Sequence, residues 1–189
     1  TAVILLAIGR LRPQKGFLDL VTAFADVHRA CPQTRLLIAG QGPLADELAT
    51  AVTQFGLTGK VSLLGLRHDI PALLAASDIY VSAAHWEGLP VSMLEAMAAG
   101  LPSVVTAVGD VPQVMDETMG ILLPPQQPEM FAQALRRLVE TPAEWPCFGR
   151  AARQKVIDSY NAEAWVEKQL ALYRRLARRH APKSAGVSL

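Results

Sequence analysis

Short apolar runs alternate with segments of helical apolar spacing along the chain. A short run that ends at a glycine or a polar loop is typical of a strand buried on both faces of a parallel sheet. Apolar residues at i, i+3, i+4 and i+7 are typical of a helix that covers such a sheet. The runs predict strands over residues 2–8, 35–39, 61–64, 79–83, 103–107 and 120–123. The helical spacing predicts helices over residues 17–29, 44–55, 70–76, 128–140, 143–159 and 162–179, with a further short helix between residues 90 and 100.

This alternation predicts a Rossmann-like α/β domain, a three-layer αβα fold around a parallel sheet of about six strands. Ligands of such sheets bind outside the carboxyl ends of the strands. The candidate residues in loops on that edge are Arg10, Lys15, Gly42, Arg67 and Glu87. Their convergence favours a ligand site at this edge of the sheet.

The short helix is framed by Pro90 and Gly100. Proline suits the first helical position, because its fixed φ is helical and the N–H that it lacks would have no partner there. Glycine is placed to end the helix. The apolar residues with the spacing of one buried stripe are Val91, Leu94 and Ala98. We therefore expect this stripe to face the core.

Two carboxylates flank the start of this helix. Glu87 lies on the preceding loop, and Glu95 lies beside the apolar stripe, where a carboxylate is costly unless it is hydrogen-bonded or paired. The two are spaced to hold opposite ends of one polar ligand, with the N–H groups of the positive helix end between them. Alternatively, Glu95 pairs with a core arginine and Glu87 is a solvated loop residue. His85, two residues before Glu87, is interpreted as a surface imidazole, and contact with a ligand is the alternative.

The loop after the first strand carries Arg10 and Lys15 between Gly9 and Gly16. Glycine permits close backbone approach, arginine offers a fork that fits phosphate oxygens, and lysine offers a point charge. Together with the helix start after residue 88, this loop favours a diphosphate ligand. The alternative is two solvated surface cations.

A second glycine-rich loop, Gly40-x-Gly42-x-x-Ala45, has the spacing of a dinucleotide fingerprint. It follows the second strand rather than the first, and no acidic residue closes the next strand. We therefore interpret it as a tight turn between a strand and a helix.

Composition and charge narrow the class of protein. The chain has 189 residues, of which 51% are hydrophobic, enough for one domain with a sizeable core. The net charge of +1 gives no argument for nucleic acid binding, and no apolar run reaches the ~18 residues of a membrane span. The histidines and the two cysteines, Cys31 and Cys147, lack metal-ligand spacing, so we expect no metal site. Two isolated cysteines fit a reduced cytosolic protein, and one disulfide is the alternative.

The two ends of the chain carry separate signals. The chain opens with Thr1 rather than methionine, which we interpret as the mark of a fragment of a longer protein. Toward its end the last predicted helix carries the basic residues Arg174, Arg175, Arg178 and Arg179. They complement the helix dipole as solvated cations, and contact with a membrane surface is the alternative. Residues 178–189 are expected to form a basic, disordered tail.

Taken together, these motifs resemble those of the retaining GT-B glycosyltransferases, in the large group often called family 4 (glycosyl transferases group 1). The likeness runs from Val3 to about Leu176. The motifs, in the order of the family, are Gly9-Arg10-Leu11 with Lys15-Gly16, Gly40-x-Gly42-Pro43, Gly65-Leu66-Arg67-x-Asp69-Ile70, and the Glu-x7-Glu pattern from Glu87 to Glu95. Two positions depart from the family: Ala84 stands where serine is frequent, and residues 109–113 lack the glutamate of a Gly-Gly-x-x-Glu pattern.

The resemblance implies a role for each matching residue. Arg10 and Lys15 would neutralise a diphosphate leaving group, Glu87 would contact the donor sugar, and Glu95 would hold the ribose hydroxyls. The backbone groups that would meet the phosphates are those of Gly88, Leu89, Pro90 and Val91. The expected donor-binding set is completed by Gly9, Gly42 and Arg67. Such enzymes usually require no metal, because arginine and lysine supply the electrostatic stabilisation.

The resemblance also implies the part that this chain plays. Residues 1–177 would be the C-terminal, nucleotide-sugar-binding domain of an enzyme whose acceptor-binding N-terminal domain is absent. The whole enzyme would transfer a sugar from a nucleotide-diphosphate donor, a UDP-sugar in preference to GDP-mannose, to a glycan or lipid acceptor with retained configuration. It would lie in the cytoplasm or peripherally at the inner membrane face.

For the fragment, we expect weak nucleotide binding and no transfer, with the last helix displaced, frayed or paired with another copy. Two other functions stay open. One is a non-catalytic module that binds nucleotide sugars, although the intact Arg10, Lys15, Glu87 and Glu95 favour an enzyme. The other is a GT-B nucleotide-sugar epimerase, which would consume no acceptor.

Overall fold

The structure, a computed structural model, describes residues 2–180 apart from the side chains of residues 164 and 178–180. Within that range, six strands form one sheet in which every neighbouring pair is parallel. The strands are Val3–Ile8 (β1), Thr34–Ala39 (β2), Val61–Gly65 (β3), Ile79–Ser82 (β4), Ser103–Thr106 (β5) and Gly120–Leu123 (β6). Their order in the sheet is β3-β2-β1-β4-β5-β6. The predicted Rossmann-like α/β fold is confirmed.

Helices follow the strands on both faces of the sheet. They are Phe17–Ala30 (α1), Ala45–Gln54 (α2), Ile70–Ala75 (α3), Val91–Ala98 (α4), Val111–Val114 (α5), Pro128–Glu140 (α6), Trp145–Ser159 (α7) and Ala162–His180 (α8). The predicted elements lie within about two residues of these bounds, and α5 was not predicted. Two short 3-10 turns, Pro13–Lys15 and Pro142–Glu144, were also not predicted.

The core divides into two layers, one on each face of the sheet. Two successive residues of β1 show the division. Leu5 belongs to the buried cluster that includes residues of α1, α2 and α6, and Leu6 belongs to the cluster that includes residues of α4, α5 and α7. Both leucines are fully buried. Full burial of such a side chain contributes ~1.5–3 kcal/mol of transfer free energy, so the two layers hold the sheet in a fixed frame.

The strand order reverses between β1 and β4, which are neighbours in the sheet. The connections that follow these two strands therefore leave in opposite directions and open a crevice at their carboxyl ends. Residues 9–16 follow β1, and residues 83–90 follow β4. The crevice thus brings together the two segments that carry the predicted cations and Glu87.

The last helix, α8, carries large apolar side chains that are exposed to solvent. They are Trp165, Val166, Leu170, Leu172, Tyr173 and Leu176. No helix among the described residues is long and apolar enough to cross a membrane. Residues 178–180 of the predicted disordered tail are the last residues of α8, and residues 181–189 lie outside the part of the chain that the structure describes.

Candidate functional site

A cavity of about 500 Å³ occupies the crevice between the carboxyl ends of β1 and β4. Its lining comprises Gly9, Arg10, Arg12, Gln14, Lys15, Glu87, Leu89, Pro90, Val91 and Ser92. Most of the predicted site residues therefore share one cavity. Three cations face one carboxylate in this lining, so the cavity carries net positive charge and favours an anion.

Lys15 and Glu87 form an ion pair across the cavity. Both side chains are mostly buried, and the aliphatic stem of Lys15 lies over Gly9, where there is no side chain to displace it. Arg10, in contrast, is exposed at the edge of the cavity. Lys15 and Glu87 thus neutralise each other, while Arg10 is accessible to a ligand.

The loop that carries Lys15 is shaped by a glycine at its end. The 3-10 turn Pro13–Lys15 ends at Gly16, whose φ of 62° is left-handed. A Cβ atom at Gly16 would lie 1.9 Å from the carbonyl oxygen of Ala83, so only glycine allows α1 to begin this close to the end of β4. This close approach sets Lys15 opposite the segment that holds Glu87.

The amino end of α4 is held in place by a contact between the half-buried Ser92 and the buried Tyr80. Ser92 Oγ lies 2.9 Å from Tyr80 Oη and 3.4 Å from the carbonyl oxygen of Ile8. Burial raises the pKa of Tyr80 to about 12, which keeps the phenol neutral. Val91 and Ser92 line the cavity, so the unpaired N–H groups and the positive end of α4 adjoin it, an arrangement that favours phosphate.

Two predictions about α4 were wrong. Pro90 is the N-cap residue, with φ −73° and ψ 113°, and Val91 is the first helical residue. The buried residues of α4 are Met93, Ala96 and Met97 rather than the predicted Val91, Leu94 and Ala98, and Val91 is 67% exposed. The helix is apolar on almost all sides, so the spacing of its apolar residues does not define one buried face.

Because α4 is rotated in this way, Glu95 is exposed rather than held at the edge of a buried stripe. It lines a second cavity of about 320 Å³ with Ile70, Pro71 and Leu74 of α3 and with the last turn of α4. Glu87 and Glu95 thus line two separate cavities, the first at the amino end of α4 and the second beside its last turn. A ligand that reaches both must extend along this helix.

Three further residues of the predicted set lie outside the lining of the main cavity. Gly42 packs on the backbone of Leu11, whose carbonyl oxygen would lie 2.4 Å from a Cβ atom there. The carbonyl of Gly88 accepts a hydrogen bond of 3.0 Å from the backbone N–H of Asp110. Gly42 and Gly88 therefore shape the loops.

Arg67 is also outside both cavities and is exposed at the carboxyl end of β3. Its guanidinium donates two hydrogen bonds to Asp69, of 2.8 and 2.5 Å. These bonds hold the pKa of the Asp69 carboxyl below its usual value. Asp69 therefore remains ionised, and its ion pair holds the Arg67 guanidinium outside the lining of both cavities.

Sequence reasoning missed several residues of the site. Arg12, Gln14 and Ser92 line the cavity, and the first two were discoverable because they lie in the loop of Arg10 and Lys15. His85 was interpreted as a surface imidazole, but it is mostly buried and lies 2.8 Å from the carboxylate of Asp19. Within residues 2–180, no three His, Cys, Asp or Glu side chains converge as a metal site requires.

Comparison with known proteins gives concordant matches. Residues 2–141 match the family described as Glycosyl transferases group 1. A curated relative, the UDP-Gal:alpha-D-GlcNAc-diphosphoundecaprenol alpha-1,3-galactosyltransferase of Escherichia coli, is 32% identical over 170 residues, which are 88% of this chain and 44% of the relative. This chain therefore spans less than half of that relative.

Two solved structures are similar to this chain. TarM of S. aureus, solved with UDP and other ligands, superimposes with a TM-score of 0.85 at 26% identity, over 91% of this chain and 35% of TarM. The C-terminal domain of the group 1 family protein LpcC from Francisella tularensis superimposes with a TM-score of 0.78 at 25% identity. That match covers 85% of this chain and 87% of the LpcC domain.

Proposed function

The chain belongs to the family Glycosyl transferases group 1, and we propose that it is the donor-binding half of a retaining glycosyltransferase of the GT-B type. Two findings support this division of labour. The chain spans 44% of the Escherichia coli galactosyltransferase, and it is similar over most of its length to a C-terminal domain solved by itself. The acceptor-binding half would then be a separate part of the whole enzyme.

The proposed ligand is a nucleotide-diphosphate sugar that lies along the amino end of α4. Arg10, Lys15 and the N–H groups at residues 91 and 92 would hold the diphosphate, because they adjoin the same positively charged cavity. Glu87 would contact the sugar from that cavity. Glu95 would hold the ribose from the neighbouring cavity, with the base beyond it near Arg67.

The proposed reaction is the one that the resemblance to retaining GT-B enzymes implies. The bond between the anomeric carbon and the diphosphate oxygen breaks, and negative charge develops on the leaving phosphate. Arg10 and Lys15 stabilise this charge, so no metal is required for that step. The acceptor oxygen bonds to the anomeric carbon on the face from which the phosphate leaves, so the anomeric configuration is retained. The proton of the acceptor hydroxyl passes to the leaving phosphate.

UDP is the proposed nucleotide, in preference to GDP. TarM was solved with UDP, and the name of the Escherichia coli relative specifies UDP-Gal as its donor. The same name specifies a diphosphoundecaprenol acceptor, which is a lipid-linked glycan. A glycan or lipid acceptor would therefore be bound by the other half of the enzyme, at the cytoplasmic or inner membrane face.

The exposed apolar side chains of α8 fit this division. Trp165 and Tyr173 are 63% and 64% exposed. Large aromatic side chains exposed together on one helix are typical of a surface that packs against another domain. We propose that α8 packs against the acceptor-binding half in the whole enzyme.

The observation that carries the proposal is the single cavity shared by Arg10, Lys15, Glu87 and the start of α4. Calorimetric titration with UDP, GDP and ADP tests it, with the Arg10→Ala/Lys15→Ala double variant as control. We expect one nucleotide to bind at about millimolar or better, ~−4 kcal/mol, and the double variant to lose this binding. Equal binding of that nucleotide by the double variant would contradict the proposed site.

A further inference from the structure

Two polar side chains beside the cavity join the segments that carry Lys15 and Glu87. His85 lies two residues before Glu87, and Asp19 lies four residues after Lys15 in the first turn of α1. The distance from His85 Nε2 to Asp19 Oδ2 is 2.8 Å, and the two side chains are only 18% and 32% exposed. A carboxylate can only accept, so His85 Nε2–H is the donor.

The same two segments are also joined at two other points. The backbone N–H of His85 donates to the carbonyl of Gln14 over 2.8 Å, and Lys15 forms its ion pair with Glu87. The ion pair lies in the lining of the cavity, whereas neither His85 nor Asp19 contributes to that lining. Two side-chain contacts thus hold the segments together. A ligand in the cavity can reach the Lys15–Glu87 ion pair, whereas the His85–Asp19 contact lies outside the cavity lining.

Asp19 and His85 are each attached to a rigid part of the fold. Asp19 lies near the amino end of α1, where the helix dipole favours a carboxylate. Just before His85, the carbonyl of Ala84 accepts a hydrogen bond of 2.6 Å from buried Thr106. The contact between His85 and Asp19 therefore also restrains the next two residues, Glu87 and Trp86, of which Trp86 is 58% exposed.

A bound diphosphate would remove the contact inside the cavity. Phosphate oxygens compete with the Glu87 carboxylate for the Lys15 ammonium, and Glu87 is then released toward the sugar. We propose that His85 and Asp19 are positioning residues that keep the two segments in register once Lys15 has left Glu87. The ligand-bound part of this inference rests on the proposed function, whereas the link between the segments does not.

Amide hydrogen exchange of the full chain tests the inference without any nucleotide. Glu87→Gln removes the ion pair and so imitates the loss of Lys15 to a ligand. We expect the backbone amides of residues 84–89 of this variant to exchange near the wild-type rate while the His85–Asp19 pair is intact. Loss of one such hydrogen bond corresponds to about fivefold to tenfold faster exchange, and we expect that acceleration in His85→Ala and in Asp19→Ala.

The double variant His85→Ala/Glu87→Gln should exceed the product of its two single effects, because both side-chain contacts between the segments are then lost. His85→Gln, which keeps an N–H donor, should restore most of the protection. Asp26→Ala is the matched control, since it removes an exposed ion pair with Arg29 on the same helix. It should leave the exchange of the amides of residues 84–89 unchanged.

The outcomes separate this inference from the proposed function. Wild-type exchange in His85→Ala, or equal acceleration in Asp26→Ala, would overturn the positioning role. Glu87→Gln exchanging as fast as the double variant would overturn it as well. Failure of wild-type protein to bind UDP, GDP or ADP would instead count against the proposed function, while the exchange rates would still decide the role of the pair.

Discussion

At the scale of single residues, the site is built so that opposite charges neutralise each other until a ligand arrives. Lys15 and Glu87 form an ion pair, and Arg67 is held by Asp69. Arg10 is exposed and available. An incoming diphosphate would meet Arg10 first and then draw Lys15 from its partner. Binding would therefore break one ion pair, which is a further reason to expect weak affinity in this chain.

Glu95→Ala tests whether the second carboxylate serves a ligand or the fold. Glu95 is exposed, so its loss should change the free energy of unfolding by less than ~0.5 kcal/mol. A hydrogen bond between a carboxylate and the ribose is worth enough to weaken nucleotide binding about tenfold when it is lost. Calorimetry and thermal unfolding measure the two effects. A lower melting temperature with unchanged nucleotide affinity would contradict the proposed role.

His28 gives the stability of the domain a pH dependence that is independent of the site. Burial is the main cause that lowers the pKa of His28, with Lys60 and Arg35 adding to it. The folded state therefore binds a proton less readily than the unfolded state, so stability is lost as the pH falls below the unfolded pKa of ~6.5.

We expect His28→Gln to lose less stability than wild type between pH 7 and pH 5. Urea unfolding at both pH values measures the difference. An identical pH dependence in the two proteins would show that His28 does not contribute.

The residues of the site differ in how far the sequence predicts them. Arg10, Lys15 and Glu87 were predicted together, because the carboxyl ends of neighbouring parallel strands meet at one edge. Asp19 and His85 were not, because their bond joins positions 66 residues apart and neither side chain belongs to a recognisable pattern.

At the scale of elements, the loops after β1 and β2 depend on close backbone packing. Gly40 follows β2 with a φ of 152°, and a Cβ atom there would lie 1.8 Å from the carbonyl oxygen of Gly9. Gly9 is the first residue of the loop that carries Arg10 and Lys15. The close packing of Gly40 on Gly9 therefore helps to fix the position of that loop.

Gly40→Ala should destabilise the domain by about 3 kcal/mol or more, because backbone strain and a backbone clash add. Gly56→Ala is the matched control, since Gly56 also has a positive φ, of 68°, but nothing lies within 4 Å of the added Cβ. It should cost only ~1 kcal/mol. Denaturant unfolding measures both variants, and equal losses would contradict the packing argument.

Strands were easier to predict than the face that a helix buries. Apolar runs mark buried strands directly, and the bounds of β6 were predicted without error. In α4, apolar residues on nearly every side left the buried face ambiguous, and contacts with α7 helped to decide it: Arg153 donates to the carbonyl of Ala98, and Gly149 packs against Gly100. Such long-range contacts are absent from local spacing.

At the scale of the whole molecule, the hydrophobic core is formed by the sheet, its connecting loops and the helices before α8. Neither core layer includes a residue of α8 among the described residues. Removal of residues 162–189 should therefore leave the thermal midpoint within about 2–4 °C of that of the full chain, the shift that ~1 kcal/mol produces at this size. Circular dichroism on heating measures the midpoint. A much larger fall would mean that α8 packs on the domain.

The central claim is that the two cavities bind different parts of one nucleotide. The phosphates of UDP should contact residues 9–16 and 90–92, whereas the nucleoside should lie near Glu95. Uridine, which lacks the phosphates, is therefore the matched ligand. The sequence alone predicted one shared site for both carboxylates, and the rotation of α4 separates them.

Amide chemical shifts of the labelled chain, recorded by NMR during titration with UDP and with uridine, test this claim most directly. We expect UDP to shift the amides of residues 9–12, 14–16, 91 and 92, and uridine to leave those amides unchanged at the same concentration. Shifts centred elsewhere, for example on the cavity beside Asp26 and Arg136 between α1 and α6, would contradict a diphosphate site at the ends of β1 and β4.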